Sequence, residues 1–153
     1  MTKLVIDSNI IFSAILNTHS KIAQILLTGS DFYDFYAPEY VRSEIWAHQD
    51  KIKNIARLSD EHFIEVYELI LKNITVLNHS IVDKETYTDA FELCKNIDIN
   101  DTTFVAFSKY LKCKLWTGDK KLIKGLQKKK FENTITTDKL FENFLKKSNK
   151  RKK

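Results

Sequence analysis

Glycine and proline are almost missing from this chain of 153 residues, at three and one respectively. That scarcity leaves nothing to build a flexible or Pro-rich linker, and no internal repeat is visible. The chain is therefore expected to fold as one domain over residues 1–145, followed by a basic, disordered tail at 146–153. Cysteine is equally scarce. Cys94 and Cys113 lie 19 residues apart with no CxxC and no paired histidines, which excludes a zinc knuckle and a disulfide framework and reads as two buried thiols. His19, His48, His62 and His79 fall in separate segments with no ligand pair among them. Long apolar runs are missing too. Ile10–Phe12 and Ala14–Leu16 fall far short of the roughly 18 residues of a membrane span, and Asp7 interrupts any secretory core, so the expected setting is the cytoplasm, away from membranes.

What remains is the composition of a soluble globular protein, 43% hydrophobic and 29% charged. The net charge of +5 is unevenly distributed. Residues 1–119 hold 12 Lys and Arg against 17 Asp and Glu, whereas residues 120–153 hold 13 against 3. An acidic body with a basic end follows. Lys128-Lys129-Lys130 and Lys150-Arg151-Lys152-Lys153 are clusters that attract polyanions in a salt-dependent way, or else simply solvated helix faces.

Periodicity predicts alternating strands and helices. Leu4-Val5-Ile6 reads as a strand and Ser8–Leu16 as the helix it feeds; Lys21–Leu27 is helical and Phe32–Tyr36 alternates as a strand. Pro38 is expected to open a helix carrying Val41, Ile45 and Trp46 on one face. A helix from Ser59 runs through Phe63, Val66, Tyr67, Ile70 and Leu71, and its Phe63 and Tyr67 suit either the core or a homodimer or partner surface. Strand Ile74–Leu77, helix Asp83–Ile97, a helix from Asn100 or Asp101, strand Cys113–Trp116, helix Lys120–Lys128, strand Thr134–Thr137 and helix Asp138–Lys146 follow. Strands separated by helices imply crossover connections and a three-layer α/β/α sandwich with a mainly parallel central sheet.

Ligands of such sheets sit at the carboxyl ends of the strands, which directs attention to four acids. Asp7 follows the first strand, Asp119 follows the Cys113–Trp116 strand, Asp101 begins the helix before that strand, and Glu44 lies on the helix after Pro38. Each alone has a plain reading as a helix cap or a solvated acid. Should they converge, the carboxylates cannot all stay ionised without a neutralising cation. An oxygen-only donor set favours Mg²⁺ or Mn²⁺ over zinc. Ions of that kind support phosphodiester hydrolysis with water as nucleophile. Phosphate-binding Gly-rich loops, HExxH and GxSxG are all missing.

The segments Leu4-Val5-Ile6-Asp7-Ser8-Asn9-Ile10, Ser43-Glu44-Ile45, Asp98-Ile99-Asn100-Asp101-Thr102-Thr103-Phe104-Val105-Ala106 and Trp116-Thr117-Gly118-Asp119-Lys120-Lys121-Leu122 resemble, in order and spacing, the signature segments of a PIN domain. The resemblance covers residues 3 to about 125. It implies an α/β/α endoribonuclease whose catalytic, metal-binding acids are matched by Asp7, Glu44, Asp101 and Asp119, with Mg²⁺ or Mn²⁺ as cofactor and RNA as substrate. It further implies a toxin of the VapC type, paired with an antitoxin in a type II toxin–antitoxin system. Asn9 and Thr117 fall where substrate contacts are expected. The family often has a further acid where this chain has Asn100, and Asp98 is left outside the expected site. Two readings outside a toxin pair stay open: a nuclease of RNA maturation or decay, and a non-catalytic RNA-binding module with the same fold.

Overall fold

The computed structural model describes residues 1–152. β1 (Thr2–Ile6) carries Leu4, Val5 and Ile6, all buried, so it is apolar on both faces and belongs in the middle of a sheet. β2 (Tyr33–Pro38), β3 (Ile74–Leu77), β4 (Lys114–Trp116) and β5 (Thr134–Ile135) complete a five-stranded sheet in the order β3-β2-β1-β4-β5. Every pairing is parallel, including Leu4 opposite Phe35 on one side of β1 and Leu115 opposite Val5 on the other. The chain thus winds from β1 to β2 to β3, then returns across to β4 and β5. With right-handed crossovers, that reversal sends the later helices to the opposite face and leaves a switch point between β1 and β4.

The helices sort accordingly. α1 (Ser8–Leu16), α2 (Lys21–Thr28), α3 (Tyr40–Ala47), α4 (Gln49–Ala56) and α5 (Asp60–Leu71) pack among themselves, and the last helix, α9 (Thr137–Lys152), packs on α2. α6 (Lys84–Cys94), α7 (Thr102–Leu111) and α8 (Lys120–Lys128) form the other group, with α7 against β1, β2 and β4. Short 3₁₀ turns cover Gly29–Asp31, His79–Ile81 and Ile99–Asp101. Among the described residues no single helix is long and apolar enough to cross a membrane; the apolar α1–α2 stretch is bent by 101° and buries Ile11, Ala14, Ile25 and Leu26 in the core.

Several expectations need correction. Pro38 ends β2 opposite Leu77 instead of opening a helix; having no N–H, it sits at the strand's last position, and the Glu39 N–H resumes the ladder to the Leu77 carbonyl. α4 has no counterpart in the sequence reading, because Ile52 and Ile55 alone are too few apolar residues to reveal a helical face, and only Ile52 is buried. Phe63 is buried against Trp46, ring centroids 5.4 Å apart, so it offers no partner surface. The expected disordered tail is helical over residues 146–152: Phe144 buries against Phe32, and Arg151 pairs with Asp31, which anchors the last turns of α9. Lys153 lies outside the described residues. Cys94 is a buried thiol as expected, whereas Cys113 is half-buried.

Gly125, inside α8, is required by a close approach. A Cβ there would lie 2.5 Å from Ile97 Cδ1 and 2.7 Å from its Cγ1. Helix propensity alone favours Gly125→Ala by about 1 kcal/mol, but overpacking costs about 1–3 kcal/mol. Chemical denaturation is expected to show Gly125→Ala destabilised by about 1 kcal/mol, with the propensity gain recovered when Ile97→Ala is added. Stabilisation by the single substitution would refute the close packing.

Candidate active site

Asp7 follows directly on Ile6 at the end of the central strand and caps α1, its Oδ1 accepting the Asn9 backbone N–H at 2.7 Å. Its Oδ2 accepts the hydroxyl of Thr117, just past β4, at 2.6 Å. Held from both sides of the switch point, Asp7 is only 4% exposed. The Thr117 oxygen also accepts the Asp119 backbone N–H at 3.1 Å. Thr117 is fully buried, so its expected contact with substrate is corrected: the hydroxyl is occupied in orienting Asp7 and shaping the turn to Asp119.

Glu44, on α3, leans over the same edge, and its Oε1 accepts the Ser8 hydroxyl at 3.1 Å. Asp101 stands at the N-cap of α7 yet makes no capping bond with its side chain. In a plain cap that bond is the purpose of the carboxylate; here the group lines a cleft instead. The cleft, about 470 Å³, is bounded by Asp7, Ser8, Asn9, Tyr40 and Glu44 on one side and by the 98–101 turn, Thr103 and Phe104 on the other. Asn9 is exposed at its mouth, where a substrate contact is sterically open.

The structure thus brings Asp7, Glu44 and Asp101 to one cavity. Asp119 lies beside it, in an adjoining hollow shared with Asn9, and caps α8 by accepting the Leu122 N–H at 3.1 Å. Its tie to the other acids is the Thr117 hydroxyl and its field. Among the described residues no three Asp, Glu, His or Cys side chains close to the spacing of a preformed ligand set.

Electrostatics define the site. Burial raises the Asp7 carboxyl above its ordinary range, with Asp119 adding to the shift and the Thr117 and Asn9 bonds opposing it. Burial also raises Glu44, with Asp7 contributing, against the Ser8 bond and nearby His48. Asp101 is pushed up to about 7, first by burial and then by the charges of Asp7, Asp98, Asp119 and Glu44. No Lys or Arg ion-pairs with any of the four acids among the described residues. Oxygen-only donors that impede one another's ionisation suit a hard divalent cation; Asp7, Glu44 and Asp101 are the cleft residues that could hold one, by drawing closer together than they stand here.

Asp98, outside the expected site, and Tyr40 also line the cleft. Asp98 lines the cleft while capping the 3₁₀ turn through the Asn100 N–H at 2.9 Å, and its spacing of three from Asp101 was the available signal. The Tyr40 phenol, whose ionisation is suppressed by burial and by Glu44, Asp101 and Asp7, had no signal in the sequence.

A family model described as PIN domain matches residues 5–141 of the chain. No curated protein matches it.

The raised carboxyl of Asp101 makes a signed prediction. A carboxyl whose folded value lies above its unfolded value of 3.8 contributes stability below about pH 4 that is lost as pH rises to about 7. Because the group is half-exposed, solvent screening reduces the loss to about 1–2 kcal/mol. In thermal melts with EDTA, stability is expected to fall from pH 4.5 to 7.5, by roughly that amount from this residue, and Asp101→Asn to flatten the fall. A wild-type profile unchanged by Asp101→Asn would show that the carboxylates do not interact.

Proposed function

The chain belongs to the PIN-domain family, whose members are nucleases that typically depend on divalent metal, and from that premise we propose that it is a Mg²⁺- or Mn²⁺-dependent endoribonuclease. The observation that carries this reading is the cleft lined together by Asp7, Glu44 and Asp101 without a cationic side chain, with Asp119 adjoining. A bound divalent ion would polarise the scissile phosphate, ease deprotonation of an attacking water and stabilise the leaving oxygen. The chain's residues supply the remainder. Thr117 and the Asn9 amide fix Asp7, Ser8 fixes Glu44, and the 3₁₀ turn presents Asp101. Asn9 at the mouth is the residue assigned to substrate, and Tyr40, kept protonated, has a hydroxyl to donate toward a phosphate oxygen.

The reading extends to the toxin of a type II toxin–antitoxin pair acting in the cytoplasm, bound there by an antitoxin and able to form a homodimer. What supports that extension is the likeness of the four signature segments to those of a PIN domain, a family whose small members are often toxins of that kind. Induction of the chain alone in a bacterium is expected to arrest growth, and Asp7→Asn to restore it; normal growth with both would place the enzyme in RNA maturation or decay instead.

Cleavage of single-stranded RNA is expected with Mg²⁺ or Mn²⁺ and not with EDTA, and Asp7→Asn and Asp119→Asn are expected to lower it by on the order of a hundredfold or more. Ser8→Ala, which releases Glu44, and Thr117→Val, which releases both Asp7 and the Asp119 turn, are expected to cost on the order of 10- to 100-fold with the fold retained by circular dichroism. RNA binding that survives chelation, with no cleavage under any condition, would instead identify a non-catalytic RNA-binding module.

A further inference from the structure

The cleft is negative and its proposed substrate is a polyanion, so a strand approaching it is repelled over a screening length of roughly 8–10 Å. Opposite charge within that reach is what brings such a ligand in. Up to Asp119 the chain carries more acidic than basic residues, and α8 begins at the next position. Its Lys120, Lys121, Lys124 and Lys128 fall within an arc of about 100° and span about 12 Å of helix. They form one side of a groove of about 580 Å³ floored by Ile97 and Gly125. All four are exposed, and among the described residues none joins an ion pair. Lys129 also lines the groove, but its Nζ is engaged, donating to the Glu92 and Leu93 carbonyls at 2.8 and 3.0 Å and clamping α8 to the end of α6.

The groove and the cleft are joined by one stretch of chain. Residues 96 and 97 line the groove and residues 98–101, next in the chain, line the cleft. At the other end, Asp119 and Lys120 are consecutive.

We propose that this lysine groove is the track along which single-stranded RNA enters the cleft, with the ammonium groups on phosphates and Ile97 beneath a sugar or base. The inference rests on the nuclease reading and adds the path of the substrate. An acidic protein segment also suits four lysines, but the continuity of residues 96–101 from groove to cleft and the negative cleft favour the ligand that must reach both.

The test measures binding of a fluorescent single-stranded RNA oligonucleotide to the full chain in EDTA, across a salt series, by anisotropy. Each lost phosphate contact flattens log K against log salt by roughly 0.7, so Lys121→Ala/Lys124→Ala/Lys128→Ala is expected to flatten the slope by roughly 2 and to weaken binding on the order of tenfold. In cleavage with Mg²⁺ the same variant is expected to raise KM and leave kcat intact, and the corresponding triple Lys→Arg variant to restore binding. Lys146→Ala/Lys147→Ala/Lys150→Ala, an equal loss of charge on α9, is expected to leave the slope unchanged. The inference is overturned while the nuclease reading stands if wild type cleaves RNA and the α8 variant keeps the wild-type slope, if the α9 variant flattens the slope instead, or if the α8 variant loses only an acidic peptide. Wild type that neither binds nor cleaves RNA overturns both.

Discussion

A buried carboxylate at the end of the central strand is the constraint around which this molecule is organised. β1 is apolar on both faces, so its end lies deep, and Asp7 is carried there by chain continuity. An ionised acid in that position is unfavourable unless its lone pairs are used. The Asn9 amide comes from its own helix, but the Thr117 hydroxyl comes from the turn after β4, across the switch point. The bond between Thr117 and Asp7 therefore joins the two halves of the sheet where their connections diverge, and it brings Asp119 alongside.

The remaining acids are tolerated by related means. α1, α7 and α8 each begin at an acid of the site, so the positive ends of three helices converge on it and offset part of the repulsion. Ser8 and Thr117 supply hydroxyl donors without adding charge. What remains uncompensated is concentrated at Asp101, where burial and four other carboxylates act together and hold its carboxyl well above the ordinary range. Positive charge is kept out of the cleft and placed on α8 beyond it.

Much of the fold was legible. The alternation of periods in the chain located all five strands and all the helices except α4, whose two spaced isoleucines carry too little pattern. Boundaries failed where tertiary contacts extend or truncate an element: Thr137 starts a helix instead of ending a strand, and α9 runs on because Arg151 finds Asp31. In the site, residue identity was a better guide than role. Asp7, Glu44 and Asp101 share the cleft, but Thr117 has the appearance of a rim hydroxyl in the sequence and is buried in the fold. Asp98 looks like a loop acid and lines the cavity.

The sequence by itself determined which residues form strands and helices, which acids fall at strand ends, and that positive charge is deferred until after Asp119, because these follow from periodicity and order along the chain. Only the tertiary structure decided which carboxylates line one cleft, which hydroxyls hold them, and that the lysines of α8 line a groove whose bordering loop runs on into the cleft. Those depend on the reversal of winding between β3 and β4, which brings segments about 110 residues apart into hydrogen-bond contact. Local periodicity carries no information about which distant strand will lie beside β1.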